Sequence, residues 1–426
     1  MNKTWCERIN PVVRDMPPSG IRRFFDMVAE TKGVISLGVG EPDFVTPWHI
    51  REACIYSLEK GYTMYTSNSG LLELRYAIAR DLAETYGVTY DPKSEILVTV
   101  GVSQALDLAL RALVCPGDEV LIPEPSYVSY APTVTLAGGK VVSLPTGMEQ
   151  GFCLRAHQVE AAITPRTKIL LLCYPNNPTG AVLDRKTLLE IAEVVVAHDL
   201  IVISDEIYDK LTYVGQHTCV ASLPGMKERT VLLNGFSKSY AMTGWRVGYA
   251  CGHGDFIAAM TKIHQYTMLC APITAQMAAL EALKNGRAGM ERMVREYNRR
   301  RHLVLHAFRD MGLPCFEPKG AFYAFPEIRV TGLTSEEFAE ILLQEEKVAV
   351  VPGNAFGSSG EGFVRCSYAA SLEDLGEALR RMAQLVRRRG VRPRVISTPS
   401  RHLPARDAGV SAAGGASSRI FHPGRN

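Results

Sequence analysis

From about residue 96 the chain alternates two hydrophobic rhythms. Near-continuous apolar runs of strand length stand at Ile96–Val100, Glu119–Ile122, Lys168–Cys173, Ile201–Ser204 and Thr230–Leu233. Between them, Ser103–Leu113 and Arg185–His198 space their apolar residues by three and four, the period of an amphipathic helix. A strand apolar at nearly every position is covered on both faces, which predicts an α/β fold with a mostly parallel sheet under helices. Right-handed crossovers then bring the carboxyl ends of the strands to one edge, where ligands bind.

The rhythm changes near residue 290. Glu291–Met311 is a long Arg-rich helical pattern, with further helices at Ser335–Leu343 and Leu372–Arg387 and strand signals at Gly320–Phe325, Lys347–Val351 and Phe363–Tyr368. That mixture predicts a smaller α+β domain. A chain of 426 residues also exceeds the roughly 250–300 at which one core stops growing. Residues 389–426 are rich in Gly, Ser, Pro and Arg without periodicity, the composition of a disordered basic tail.

Charge and composition narrow the classes. The net charge is +3, yet residues 387–426 hold nine Arg against one acid, so the body is mildly acidic and offers no nucleic-acid face. The longest apolar stretches, such as Ile169–Tyr174, fall far short of the ~20 residues of a membrane span. The N-terminus carries charges and no apolar core of a secretory signal, so a cytoplasmic location is expected. Ten Cys are scattered without a C-x-x-C pair and are expected to be buried free thiols. No H-E-x-x-H or similar spacing is found, and no protein-held metal is expected.

Four segments carry candidate chemistry, each just past a predicted strand: Gly101–Ala105 (GVSQA), Pro175–Gly180 (PNNPTG), Ser204–Tyr208 (SDEIY) and Gly235–Gly248 (GFSKSYAMTGWRVG). Lys238 stands between two Ser, and Arg246 follows between Gly244 and Gly248. Glycines let backbone approach a ligand, and Arg clamps a phosphate through parallel donors. A lysine beside a phosphate site suits a nucleotide or pyridoxal phosphate. The nucleotide spacings G-x-x-x-x-G-K-[ST] and G-x-G-x-x-G are absent. Asp205 favours pyridoxal phosphate, whose ring nitrogen needs a carboxylate partner. Tyr208 and Asn177 are suited to donate to its phenolic oxygen. Each of these residues alone has an ordinary structural explanation, a helix cap or a turn; their ordered combination does not.

With S-K-x-x-x-x-T-G-W-R-x-G, N-P-T-G and D-E-I-Y together, the chain resembles the class I, fold-type I pyridoxal-phosphate aminotransferases over about residues 8–388. It is similar to the branch holding bacterial aspartate, aromatic and N-acetyl-diaminopimelate aminotransferases. The resemblance implies a seven-stranded, mostly parallel sheet sandwiched by helices in a large domain at 46–288. A small domain at 289–388 would also take in residues 1–45. It implies pyridoxal 5'-phosphate as cofactor, amino acids and 2-oxo acids as substrates, and a homodimer with shared active sites. By the same resemblance Lys238 holds the cofactor covalently and moves the proton. Asp205 pairs with the ring nitrogen, and Tyr208 and Asn177 bond the phenolic oxygen. Val102, Ser103, Ser237 and Arg246 form the phosphate cup, Tyr127 stacks on the ring, and Tyr65 reaches the neighbouring subunit's phosphate. Arg365, with the Gly40 backbone and Asn177, takes the substrate carboxylate.

Two departures from the family pattern stand out. Gly235 occupies a position where another branch has a phosphate-binding Ser. No Arg in His264–Pro272 matches the one that binds a dicarboxylate side chain in that branch, so the preferred donor is open among aspartate, aromatic and diaminopimelate types. Two other readings accompany transfer of an amino group to 2-oxoglutarate. One is a C–S β-lyase of the same fold. The other is a non-catalytic pyridoxal-phosphate-binding regulator, disfavoured by the intact Lys238 and by the absence of room for a DNA-binding domain before the first motif.

Overall fold

The computed structural model describes residues 5–18 and 31–391. Its strands, in chain order, are β1 (Ile35–Ser36), β2 (Ile96–Thr99), β3 (Glu119–Glu124), β4 (Lys140–Pro145), β5 (Thr167–Cys173), β6 (Ile201–Asp205), β7 (Thr230–Gly235), β8 (Gly248–Cys251), β9 (Tyr323–Ala324), β10 (Val348–Ala349), β11 (Val351–Pro352) and β12 (Val364–Ser367). Seven of them form one sheet in the order β2-β8-β7-β6-β5-β3-β4. Only β8 runs against the rest. The predicted α/β fold is the one observed.

The two-faced burial of this sheet explains its apolar runs. In β5, Ile169, Leu171 and Cys173 enter one core cluster with Leu97, Val120 and Ile203. Leu170 and Leu172 enter another with Leu121 and Val202. Successive side chains point to opposite faces, so each face needs its own apolar residue. Every one of them is at most 5% exposed, and each fully buried aliphatic side chain contributes about 1.5–3 kcal/mol. β4 and β8 have no counterpart in the apolar pattern. β4 is an edge strand whose side chains are largely exposed or half-buried, and β8 is only four residues long.

Beyond the sheet, β11, β12 and β9 make a small antiparallel sheet. The N-terminal strand β1 pairs in parallel with β10. The predicted strand at Lys347–Val351 is thus two strands, divided at Val350 between two sheets. Of Gly320–Phe325 only Tyr323–Ala324 forms a strand, and Gly320 makes an isolated bridge to Thr212; between them Ala321 adopts a left-handed φ of 56° that breaks extension. The helices at Arg287–Met311, Ser335–Glu346 and Leu372–Arg388 overlap the expected ones. Of the cysteines, Cys173, Cys219, Cys251 and Cys366 are buried and free as expected, whereas Cys6 and Cys115 are exposed. Among the described residues no helix is long and apolar enough to cross a membrane. The basic tail expected at 389–426 lies, after Val391, outside the described residues.

Candidate active site

The parallel arrangement puts the ends of β2, β5, β6 and β7 at one edge, and all four candidate segments follow there. β2 leads into the helix Gly101–Leu113. The first N–H groups of a helix have no partner within it, and here Val102 and Ser103 line a cavity of about 940 Å³. Gly101 turns the chain with φ 75°. A side chain there would meet the Arg246 guanidinium at 2.7 Å, and a Cβ on Gly248 would lie 2.8 Å from the Val102 nitrogen. Glycine at both positions lets the helix end, Arg246 and the strand edge close around one point. Gly235, opposite Gly248 in the β7–β8 pair, explains the departure noted above. Its Cβ would stand 3.0 Å from Gly248 Cα and 3.2 Å from Val102 Cγ2, so a serine has no room unless the helix end shifts.

Lys238 reaches the same cavity and donates to the Gly40 carbonyl at 2.6 Å. No carboxylate among the described residues forms an ion pair with it. Burial, helped by the Arg365 charge and opposed by Glu41, lowers its ammonium to about 8. A fraction of the amine is therefore neutral near pH 7. Asp205 ends β6 and is 6% exposed. It accepts from the Tyr130 hydroxyl at 2.8 Å and from the Ile207 N–H at 3.2 Å. Burial pushes it up to about 6 against those two hydrogen bonds. A cation placed against it would hold it ionised.

Arg365, in β12 and 3% exposed, lines the same cavity. It donates to Asn177 Oδ1 at 2.9 Å and to the Gly38 carbonyl at 2.6 Å, and its buried Nε has no partner. A buried guanidinium facing a cavity with an unused donor is suited to a carboxylate. The β1 segment brings Gly38 and Gly40 here: Leu37 donates to Ala349 of β10 and accepts from Ser367 of β12.

All the sequence-predicted residues except one line this cavity: Gly40, Val102, Ser103, Tyr127, Asn177, Asp205, Tyr208, Ser237, Lys238, Arg246 and Arg365. Tyr65 does not; it is 79% exposed. Glu41, Tyr130, Thr243 and Tyr323 also line the cavity and escaped sequence reading. Tyr130 follows Tyr127 by three residues, a helical spacing that was a usable signal. Thr243, which donates to Glu41 at 3.0 Å, was visible as the threonine of the T-G-W-R motif but was given no role, whereas Tyr323, inside an apolar run, gave no signal.

The model of the aminotransferase class I and II family matches residues 32–382. The chain belongs to that family. It is 55% identical to the putative aminotransferase YugH of Bacillus subtilis (strain 168), over 89% of this chain and 98% of the relative. It is 51% identical to an aspartate aminotransferase of Pyrococcus abyssi (strain GE5 / Orsay), over 87% and 96%. Among solved structures, the aromatic aminotransferase from Pyrococcus horikoshii OT3 superposes with a TM-score of 0.83 at 50% identity, over 86% of this chain and 100% of that one. The chain is thus an aminotransferase, and the cofactor of its family is pyridoxal 5'-phosphate. The cavity fits that group. It offers a half-buried lysine without a carboxylate ion pair among the described residues, a buried carboxylate, and a helix N-terminus and an arginine on one lining.

Proposed function

We propose that the enzyme moves the amino group of an L-amino acid of the aspartate, aromatic or diaminopimelate type to 2-oxoglutarate, in two half-reactions with ping-pong kinetics. The observation that carries this reading is that Lys238 and Arg365 line one and the same cavity. In this reading Val102, Ser103, Ser237 and Arg246 hold the cofactor phosphate, Asp205 holds the ring nitrogen, Tyr208 and Asn177 the phenolic oxygen, and Tyr127 covers the ring. Pyridoxal phosphate, when bound, supplies an electron-withdrawing ring that acidifies the substrate Cα–H. Arg365 takes the substrate carboxylate bidentately and so fixes the direction of the Cα–H bond. The Lys238 amine, neutral in part because burial lowers its basicity, takes the Cα proton and carries it two atoms along, the 1,3-shift that transamination requires.

Residues 46–288 act as the cofactor domain, and 289–388 with 1–45 as the small domain that carries Arg365. A substrate gripped by both domains draws them together and excludes water. The enzyme works as a cytoplasmic homodimer. Support comes from a surface that exposes Trp48, Tyr56, Met64, Tyr65, Tyr266 and Met268 at 53–86%, an apolar concentration suited to a second copy. Tyr65, unused in its own chain's cavity, completes the phosphate cup of the partner.

A panel of amino donors assayed with 2-oxoglutarate tests the proposal. Glutamate and a matching 2-oxo acid should form with at least one donor type. Release of pyruvate and ammonia from a β-thio amino acid, with no glutamate from any donor, would overturn it in favour of the lyase.

A further inference from the structure

Tyr323 is buried at 1% exposure and touches three of the groups to which the proposed function gives roles. Its hydroxyl lies 2.8 Å from that of Tyr208. Its ring carries the Arg365 guanidinium at 4.4 Å from the centroid. Its hydroxyl would stand 2.5 Å from a Cβ on Gly40, so the Gly40 backbone is shaped around it. A phenol has one proton to give. If Tyr208 gives its own to the cofactor, its bond to Tyr323 survives only with Tyr323 as donor.

We propose that Tyr323 is a positioning residue: it donates to Tyr208, directing the Tyr208 proton at the cofactor's phenolic oxygen, and its ring face seats Arg365 for the substrate carboxylate. Two features of the chain support that direction. Tyr323 lies beside the Arg365 cation, which stabilises its negative end and makes it the readier donor of the pair. Tyr208 is packed edge-on against both Tyr323 and Phe322, which fixes its ring and leaves hydroxyl rotation as the freedom to be removed. The guanidinium is also held between Tyr323 and the ring of Phe356, whose centroid lies 4.9 Å away. Two aromatic faces hold the plane of Arg365, while Asn177 and Gly38 take two of its hydrogens.

The inference rests on the Tyr208 role in the proposed function, and the test separates the two. Cofactor-loaded wild type, Tyr208→Phe, Tyr323→Phe, Tyr323→Leu and the Tyr208→Phe/Tyr323→Phe double variant are titrated by visible absorbance against pH, without substrate. A donor to the phenolic oxygen lowers the midpoint, so Tyr208→Phe should raise it. Tyr323→Phe should raise it by roughly 0.5–1 unit, the scale of one hydrogen bond, and add nothing in the double variant. Steady-state kinetics on the same proteins should show Tyr323→Phe keeping KM for amino donors. Tyr323→Leu, which also removes the ring face, should raise KM about 3- to 10-fold for every donor. If Tyr208→Phe shifts the midpoint and Tyr323→Phe does not, or if the two shifts add, the positioning role is wrong. If Tyr208→Phe itself leaves the midpoint in place, the Tyr208 assignment fails first. Thermal melting of Tyr323→Phe should match wild type within a few degrees. A large drop accompanied by an unmoved midpoint would make Tyr323 a packing residue only.

Discussion

Arg365 shows how much one side chain's geometry can demand. Its two bonds to Asn177 and Gly38 and its open Nε define a plane, and a lysine offers only a point charge. Arg365→Lys should lower kcat/KM by roughly 30-fold or more for every amino donor, the cost of losing a charge-assisted pair in a closed site. Cofactor absorbance should remain. Loss confined to one donor type would move Arg365 to the side-chain pocket. Arg365, Lys238 and Asp205 were legible in the sequence because their motifs are specific. Tyr323 was not, since an aromatic in an apolar run reads as core until its neighbours are placed.

The half-buried His217 and the buried His264 make a second test at the same scale, with opposite signs. Burial alone would lower His217, but the charge of Glu206 and a hydrogen bond to it at 2.7 Å outweigh burial and raise it. Its stabilising contribution is therefore complete below the unfolded value near 6.5 and is lost as pH rises through the raised folded value. His264 is lowered by burial. Gln104 accepts from the Val100 N–H at 2.7 Å, so its amide NH₂ must donate to His264 Nδ1 at 3.0 Å, which requires a neutral ring. That contribution is complete above about 6.5 and fades as pH falls. Melting curves of His217→Gln and His264→Gln across pH should show the first converging on wild type at alkaline pH and the second at acid pH. The reverse order would refute both assignments.

Among the elements, the start of the Gly101–Leu113 helix matters most. It is seated on β7 and β8 through Gly235 and Gly248, where added side chains would meet backbone. Gly248→Ala should push the helix end away and weaken pyridoxal phosphate binding about 10-fold or more, an overpacking cost of about 1–3 kcal/mol. Gly235→Ser should have a smaller effect of the same sign, although it adds a potential phosphate donor. Equilibrium titration of the apoprotein with the cofactor measures both. Tighter binding by Gly235→Ser would show that the helix end yields. Elements buried on two faces, such as β5 and β6, were legible from their apolar runs. The edge strand β4, the short antiparallel β8 and the division at Val350 were not, because pairing partners rather than local composition define them.

For the whole molecule, the exposed Tyr65 leads to a mixing experiment. Mixed Tyr65→Phe and Lys238→Ala subunits should be more active after co-refolding than the average of their parents, because the heterodimer contains one site free of both lesions. The recovered activity should approach a quarter of wild type if subunits pair at random and each dimer site works independently. Mixtures no more active than their parents would show that each chain builds its site alone. The proposed dimer rests on resemblance alone in the sequence; the exposed apolar side chains offered in its support become visible once the fold shows which of them stay outside.

The parallel pair β1–β10 joins Ile35 to Val348, and this has a consequence during synthesis. A ribosome adding about 5–20 residues per second needs roughly 15–60 seconds to pass from one strand to the other. Through that interval the segment leading to Gly40 has no strand to pair with, and the carbonyl that receives Lys238 is not yet fixed. Arg365, which helps to lower the lysine's basicity, emerges later still. A chain that ends before β12 therefore has the cavity residues that follow β2, β5, β6 and β7 but lacks Arg365, whose charge adds to burial in lowering the lysine's basicity. On the proposed roles, the substrate's carboxylate partner is the last part of the site to be made.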